Sequence, residues 1–155
     1  MKQNYLYLYN NLINYTRNKD LYKNLNREDN FSDRLTLFLL HFSFFLKNYK
    51  KDENKSVLQE IYDFNFRQLE LSIREIGYGD QSINKKMKDY LNLFYSIVDK
   101  INDWEDLTTH KQSEILTFFL HKDMNKAFMV NYFEKYRKNL LNNTLNSYIK
   151  GVVKH

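Results

Sequence analysis

The sequence contains no cysteine and no proline among its 155 residues, and it has only three glycines. Without cysteine the chain can form no disulfide, no thiolate metal site, no iron–sulfur centre and no cysteine nucleophile. In a chain without proline, glycine is the remaining residue that marks sharp turns. Gly77 and Gly79 lie two residues apart, whereas Gly151 lies near the end of the sequence.

Long hydrophobic runs are also absent. The longest apolar stretch, Leu35–Leu46, is interrupted by Thr36, His41 and Ser43 and falls well short of the roughly 20 residues that span a bilayer. We therefore interpret it as a buried core helix. The start of the sequence carries only Lys2 before an aromatic stretch and lacks the small-residue cleavage site of a signal peptide, so we expect no secretion signal.

Acidic residues are missing from the end of the sequence, since all 19 of them lie at or before Glu134. Up to that position basic and acidic residues balance, and the whole net charge of +5 comes from the residues after Glu134. We expect a helical domain over residues 1–136 and a basic tail over 137–155 that contacts an anionic membrane or RNA. The candidate contact residues are Lys135, Arg137, Lys138, Lys150 and Lys154.

Apolar residues recur at helical spacing along almost the whole chain, and no run alternates as a strand would. The sequence therefore predicts an all-α, compact single-domain bundle of five to seven helices. Two pairs, Ser56 with Gln59 and Thr109 with Gln112, have the spacing of capping boxes. The predicted helices cover about residues 4–17, 33–49, 56–76, 83–101, 109–120 and 124–141, with polar loops at 24–30 and 50–55. Helix 33–49 is apolar on most sides and is expected to be the central element.

Gly77 and Gly79 separate two long segments of helical periodicity. Because glycine reaches positive φ without a steric clash, helices commonly end on it. We predict a Gly-x-Gly corner between two long central helices, with Asp80 or Ser82 capping the second helix. Lys85, Lys86 and Lys88 follow within two turns. Three such lysines are typical of a solvated helix face, but beside a rigid turn they favour an anionic or carboxylate-bearing partner.

The tail is predicted to form a basic amphipathic helix if it is helical at all. Lys150 and Lys154 would then lie opposite its apolar face, and Gly151 would weaken the helix by about 1 kcal/mol relative to alanine. The apolar face would carry Leu141, Leu145, Tyr148, Ile149 and Val152.

No combination of residues predicts catalysis, a cofactor or a metal site. Gly77-Tyr78-Gly79 lacks the third glycine and preceding strand of a dinucleotide fingerprint, and it lacks the Gly-Lys-Ser/Thr of a phosphate loop. His110 and His121 would be about 16 Å apart on one helix, too far to share a metal ion. His41, among leucines and phenylalanines, is interpreted as a core histidine with satisfied hydrogen bonds.

The run Arg74–Lys88 reads Arg-Glu-Ile-Gly-Tyr-Gly-Asp-Gln-Ser-Ile-Asn-Lys-Lys-Met-Lys. It resembles the signature Leu-Arg-Glu-Met-Gly-Val-Gly-Asp-x-x-Val-Gly-Lys-Arg-Met-Lys of the ubiquinol–cytochrome c chaperone family. Further landmarks agree in order and spacing, so the similarity spans about residues 5–100, and little resemblance is found beyond about 105. Asn84 stands where the family often has glycine. The other landmarks are Leu6-Tyr7, Asp33-Arg34, Leu40-His41, Asp63 with Phe66, and Phe94-Tyr95.

The resemblance implies a non-enzymatic assembly chaperone for complex III, ubiquinol–cytochrome c reductase, that acts on its cytochrome b subunit. It implies action in the bacterial cytoplasm or an organelle matrix, peripherally associated with the inner membrane, with a small partner protein or the ribosome as further partners and no small-molecule substrate. The residues that would bind a partner are Arg74, Glu75, Gly77, Tyr78, Gly79, Asp80, Lys85, Lys86 and Lys88.

The alternative hypothesis is a small, basic, helical RNA- or ribosome-binding protein. It rests on the basic tail, whose cations suit phosphates as well as anionic lipids.

Overall fold

The computed structural model describes residues 4–155 of the protein. Across these residues the chain forms eight α-helices, two short 3-10 helices and no strand. The all-α prediction is confirmed, whereas the predicted five to seven helices were too few. In chain order the α-helices are α1 (Leu6–Thr16), α2 (Lys19–Leu25), α3 (Phe31–Tyr49), α4 (Lys55–Ile76), α5 (Asp80–Ile101), α6 (Thr109–Phe119), α7 (Lys126–Leu141) and α8 (Leu145–Lys150). The 3-10 helices are Asp52–Asn54 and Trp104–Asp106.

Helix α3 is the centre of the fold, as its composition predicted, and α1, α5 and α7 all pack against it. Thirteen of its 19 residues are buried, which means that the helix is covered on most sides. Phe42 stacks with Phe94 at 5.6 Å, and Phe44 contacts Trp104 and Phe133 with ring centroids 5.1 and 5.5 Å away. Such aromatic contacts add to the area that the rings bury.

Helices α4 and α5 flank α3 instead of forming the centre themselves, contrary to the prediction of two long central helices. Each has 22 residues, of which α4 buries five and α5 four. They run antiparallel, since Phe66 of α4 meets Phe94 of α5 with ring centroids 5.3 Å apart. Each helix therefore buries a single stripe and leaves most of its surface to solvent. No helix in the described part of the chain is both long and apolar enough to cross a membrane.

His41 is a core histidine, as predicted, and is fully buried. Its Nδ1 lies 2.6 Å from the Leu37 carbonyl oxygen and its Nε2 lies 2.7 Å from the Tyr132 hydroxyl. A neutral ring satisfies both contacts if Nδ1–H donates to the carbonyl and Nε2 accepts from the hydroxyl. Burial lowers the pKa of His41 to about 4, so the ring is neutral at physiological pH.

Several predicted helix boundaries were wrong by a residue or missed an element. Helix α2 begins just after Asn18, whose side chain accepts the Asp20 N–H at 3.0 Å, and no helix was predicted there. Helix α4 starts at Lys55, before the predicted cap Ser56. Helix α6 is capped by Thr108 rather than Thr109.

The two glutamines of the predicted capping boxes have other partners. The buried Gln112 amide donates to the Trp104 carbonyl at 2.8 Å. Gln59 donates to Asp63 one turn further along α4, at 3.0 Å. A buried amide needs a partner inside the protein, so for Gln112 tertiary contact outweighs the local capping pattern.

The C-terminal region differs from one continuous amphipathic helix. Helix α7 runs on to Leu141, and α8 starts separately after Thr144, whose hydroxyl accepts the Ser147 N–H at 3.1 Å. Tyr148 is fully buried in the core, whereas Leu141 and Val152 are 61% and 64% exposed. The predicted apolar face is therefore divided between the core and solvent, because the break at residues 142–144 turns α8 relative to α7.

Candidate partner-binding surfaces

The connection between α4 and α5 consists of Gly77, Tyr78 and Gly79. Gly77 has φ of 105°, in the left-handed region, and its N–H donates to the Arg74 carbonyl at 3.0 Å. Gly79 has φ of −74°, which any residue adopts, and its carbonyl accepts the Ile83 N–H at 2.9 Å. Only the first of the two glycines is therefore required by backbone conformation.

Asp80 does not cap α5, and neither does Ser82. The N-cap residue is Gly79, which has no side chain to offer. Asp80 instead binds Arg74, with Nη1 and Oδ1 2.6 Å apart, and Glu70 lies 3.7 Å from the same guanidinium. The hydrogen bond from Arg74 to Asp80 is the main cause of the raised pKa of Arg74. This exposed ion pair links the last turn of α4 to the first turn of α5.

The three lysines after the connection have different surroundings. The Lys86 ammonium lies 4.4 Å from the centroid of the Tyr78 ring, a cation–π contact. Lys85 and Lys88 are exposed, and within residues 4–155 neither forms an ion pair. Glu75 is exposed at the end of α4. Lys85 and Lys88 therefore have no acidic partner among the described residues, whereas Lys86 already contacts the Tyr78 ring.

Apolar side chains lie beside these charges. Leu71, Ile76 and Tyr78 are 46%, 59% and 44% exposed. Exposed apolar groups rimmed by polar ones are typical of surfaces that bind other proteins. The structure therefore places the predicted site residues of the α4–α5 connection on one end of the molecule, with a mixed apolar and basic surface.

The five C-terminal basic residues lie in three separate segments. Lys135 and Lys138 are exposed on α7 and line a cavity of about 720 Å³ that also contains Asp20, Tyr132 and Tyr136. These two lysines face a partly aromatic recess with one carboxylate in its wall.

The other three residues are divided between an ion pair and the chain end. Arg137 makes a bidentate ion pair with Glu134 at 3.1 and 3.2 Å, and this hydrogen bonding is the main cause of its raised pKa. Lys150 ends α8, and the backbone of Lys154 is held by the Asn143 side-chain amide. Four of the five cations are exposed, and Arg137 is partly occupied by its acidic neighbour.

A groove that sequence reasoning missed lies at the opposite end of α4 and α5. It has a volume of about 730 Å³ and is bordered by Lys50, Lys51 and Lys55. Lys50 and Lys51 lie in an exposed loop, as predicted for residues 50–55, whereas Asp52–Asn54 form a 3-10 turn and Lys55 begins α4. The sequence feature that could have indicated the groove is the lysine run between two apolar helices. The floor of the groove is formed by Leu58, Tyr62, Phe94, Tyr95, Val98 and Ile101.

A comparison of the sequence with protein-family models finds one described as "Ubiquinol-cytochrome C chaperone", which matches residues 23–103. This range is slightly more than half of the chain, and it contains the whole of α3, α4 and α5, the α4–α5 connection and every residue that lines the groove. No curated protein matches the sequence.

A solved structure also resembles this chain. It is the crystal structure of the Cbp3 homolog from Brucella abortus, with a TM-score of 0.77 and 23% sequence identity. The alignment covers 97% of this chain and 87% of the Brucella chain. At this identity the likeness establishes a shared fold. The alignment also includes α6, α7 and α8, the part of the chain in which the sequence alone showed little resemblance to the family.

Proposed function

The chain belongs to the ubiquinol-cytochrome C chaperone family, and from this premise we propose that it is a non-enzymatic assembly chaperone for complex III that binds the cytochrome b subunit. The observation that carries the proposal is the family match over residues 23–103. That range includes the central helix and both flanking helices, so it covers the scaffold together with its exposed end.

The α4–α5 connection is the surface that we assign to partner binding. A subunit rich in apolar transmembrane helices needs a partner that offers apolar contacts before its own neighbours are in place. Ile76 and Tyr78 offer such contacts, and Lys85 and Lys88 have no acidic partner among the described residues that would compete for them. Arg74, Glu75 and the other predicted residues of this connection orient or extend the surface.

We propose a second, weaker role for residues 137–155 together with Lys135, which is attachment to an anionic membrane surface. Each lysine near such a surface contributes about 1 kcal/mol, so the four exposed lysines suffice only for reversible attachment. Arg137 contributes less because Glu134 already neutralises it. Under this proposal the protein acts at the inner membrane, on its cytoplasmic or matrix side, where cytochrome b is inserted.

The test is deletion of the gene, followed by measurement of assembled complex III and of cytochrome b by native gel electrophoresis and haem spectra. We expect both to fall while other respiratory complexes and the cytochrome b transcript stay unchanged. Normal complex III in the deletion strain would overturn the chaperone assignment. It would move the RNA- or ribosome-binding alternative, tested by sedimentation with ribosomes at matched salt, to first place.

Rescue of the deletion strain tests the assigned surface. Replacing Lys85, Lys86 and Lys88 by serine should leave the melting temperature unchanged and reduce rescue. The matched control replaces Lys19, Lys111 and Lys122 by serine, three exposed lysines that belong to α2, to α6 and to the segment after α6. Equal rescue by the two triple variants would remove the α4–α5 connection from the proposed function without touching the family assignment.

A further inference from the structure

The groove at the N-terminal end of α4 is an apolar surface with charge on one side only. Tyr95 and Val98 in its floor are 57% and 38% exposed, and the Tyr95 hydroxyl lies 2.8 Å from that of Tyr62. The exposure of these side chains means that the groove is open. A small ligand usually has 70–90% of its surface buried, which needs closed walls. The open form suits a macromolecule better.

The charge of the groove is asymmetric. Lys50, Lys51 and Lys55 border it on the side where α3 ends and α4 begins, and all three are exposed. In the part of the chain that the structure describes, none of them forms an ion pair, whereas the neighbouring Lys47 is paired with Glu105. The positive end of the α4 dipole lies at the same edge.

The α5 side of the groove contributes floor residues and Asn102 to the lining, and none of these residues is charged. Asp52 is the single acidic residue in the lining. A partner that fits must therefore be apolar in the middle and negatively charged along one side.

The backbone around the groove decides which form of partner fits. Residues 4–155 contain no strand, so they offer no sheet edge to which an extended peptide could add. The floor consists of side chains from two helices whose backbone groups are bonded within each helix. An extended segment would leave its own N–H and C=O groups without partners, whereas a helix satisfies them internally.

We propose that this groove binds an amphipathic α-helix of a partner protein, with an apolar stripe on the floor and carboxylates along one flank facing Lys50, Lys51 and Lys55. This goes beyond the proposed function, because α4 is about 33 Å long and separates the groove from the α4–α5 connection. The molecule thereby has two docking surfaces at opposite ends of one helix pair, and both can be occupied together.

The first experiment uses three labelled 18-residue helical peptides that share a leucine stripe at positions i, i+3, i+4 and i+7. Their flanks carry glutamate, glutamine or lysine, and binding to the full chain is followed by fluorescence anisotropy at low and high salt. We expect the glutamate peptide to bind most tightly, the glutamine peptide less tightly and the lysine peptide least tightly. High salt should weaken binding of the glutamate peptide more than binding of the glutamine peptide. Equal affinity of the three peptides, or no binding, would overturn the proposal.

Substitutions then locate the site. Replacing Lys50, Lys51 and Lys55 by glutamate should weaken the glutamate peptide about tenfold or more. The matched control, with glutamate at Lys19, Lys111 and Lys122, should stay within about twofold. For the floor, Val98→Asp should weaken all three peptides, while Phe118→Asp, at an apolar residue that is 75% exposed on α6, should not.

Circular dichroism of each variant separates lost binding from lost folding, and a variant that fails to fold is replaced by Lys50→Ser, Lys51→Ser and Lys55→Ser or by Val98→Ser. Equal weakening by the groove and control variants would overturn the site. Vesicles of 70% phosphatidylcholine and 30% phosphatidylglycerol are the competing partner. If the lysine variant loses vesicle binding but keeps peptide binding, the groove is a lipid contact and the helix proposal fails.

Discussion

The surroundings of Phe42 in α3 and those of the α4–α5 connection differ in almost every physical respect. Phe42 is fully buried and has aromatic neighbours from its own helix, from α4 and from α5. At the connection Ile76, Tyr78 and Asp80 face solvent, and the ion pair there is exposed. The connection nevertheless has the more distinctive sequence, because it holds two of the three glycines.

The difference teaches that a distinctive sequence motif and a stabilising region need not coincide. The core around α3 is built mainly from leucine and phenylalanine, which indicate a buried helix but form no distinctive motif. The connection contributes few buried contacts and leaves its side chains free to meet a partner. We therefore expect stability to depend on α3 and partner binding to depend on the exposed surfaces of α4 and α5.

The largest expected effect sharpens this comparison directly. Phe42→Ala should lower the free energy of unfolding by about 3–5 kcal/mol, because it removes a buried ring and leaves a cavity. Phe118→Ala, at a phenylalanine that is 75% exposed, should change it by less than about 0.5 kcal/mol. Urea unfolding followed by circular dichroism measures both. A similar loss for the two variants would contradict the assignment of stability to α3.

The second prediction concerns His41, one turn of α3 away from Leu37. Its pKa is about 4 in the folded protein against 6.5 for the unperturbed group, so below pH 6.5 the unfolded chain binds a proton that the folded protein does not. Stability from this group is therefore fully present above pH 6.5 and is lost as the pH falls towards 4. Between pH 7 and pH 5 the loss should be about 2 kcal/mol.

The control for this prediction is His41→Gln, which keeps polar atoms for Leu37 and Tyr132 but does not titrate. Its unfolding free energy should be lower than that of the natural chain at pH 7 and nearly constant down to pH 5. The tyrosines around His41 do not titrate between pH 5 and pH 7, because burial raises the pKa of Tyr15, Tyr132 and Tyr136. Parallel pH profiles for the two proteins would exclude His41 as the source.

The smallest expected effect lies at the connection itself. Gly77→Ala should destabilise the fold by about 1 kcal/mol, because an L-residue is strained at φ of 105°. No atom lies within 4 Å of the added methyl group, so this cost comes from the backbone alone. Gly79→Ala should change the unfolding free energy by less than about 0.5 kcal/mol, since its φ of −74° suits any residue. Equal melting temperatures for the two variants would remove the distinction between the glycines.

Helix positions were largely predictable, whereas their N-terminal caps were not. The apolar rows of α3, α4 and α5 are long enough for the 3.6-residue period to identify them without ambiguity. Helix α2 escaped because seven residues contain only two turns of periodicity. The caps are mostly made by the abundant asparagines and by threonines, such as Asn18, Asn125 and Thr108. With so many candidate caps in the sequence, the composition could not indicate which ones are used.

The basic C-terminal region and the groove lysines show that the sequence was likewise insufficient to locate binding surfaces. Lys135 and Lys138 attracted attention because no acidic residue follows Glu134, but this excess of charge is a property of the sequence and not of one surface. The groove lysines, Lys50, Lys51 and Lys55, were interpreted only as part of a polar loop over residues 50–55. Their importance depends on the apolar floor beside them, which comes from residues up to about 50 positions later in the chain.

The sequence by itself determined the helical class, the central place of α3, the buried role of His41, the end of α4 at Gly77 and the family resemblance. These features depend on local periodicity, on backbone sterics at one residue, or on a contiguous motif, and each is encoded within a few turns of chain. Only the tertiary structure decided that Asp80 binds Arg74 instead of capping α5, that Tyr148 is in the core while Val152 is not, and that three lysines border an apolar groove. Each of these depends on side chains from different helices meeting in space, and no spacing along one helix specifies that meeting.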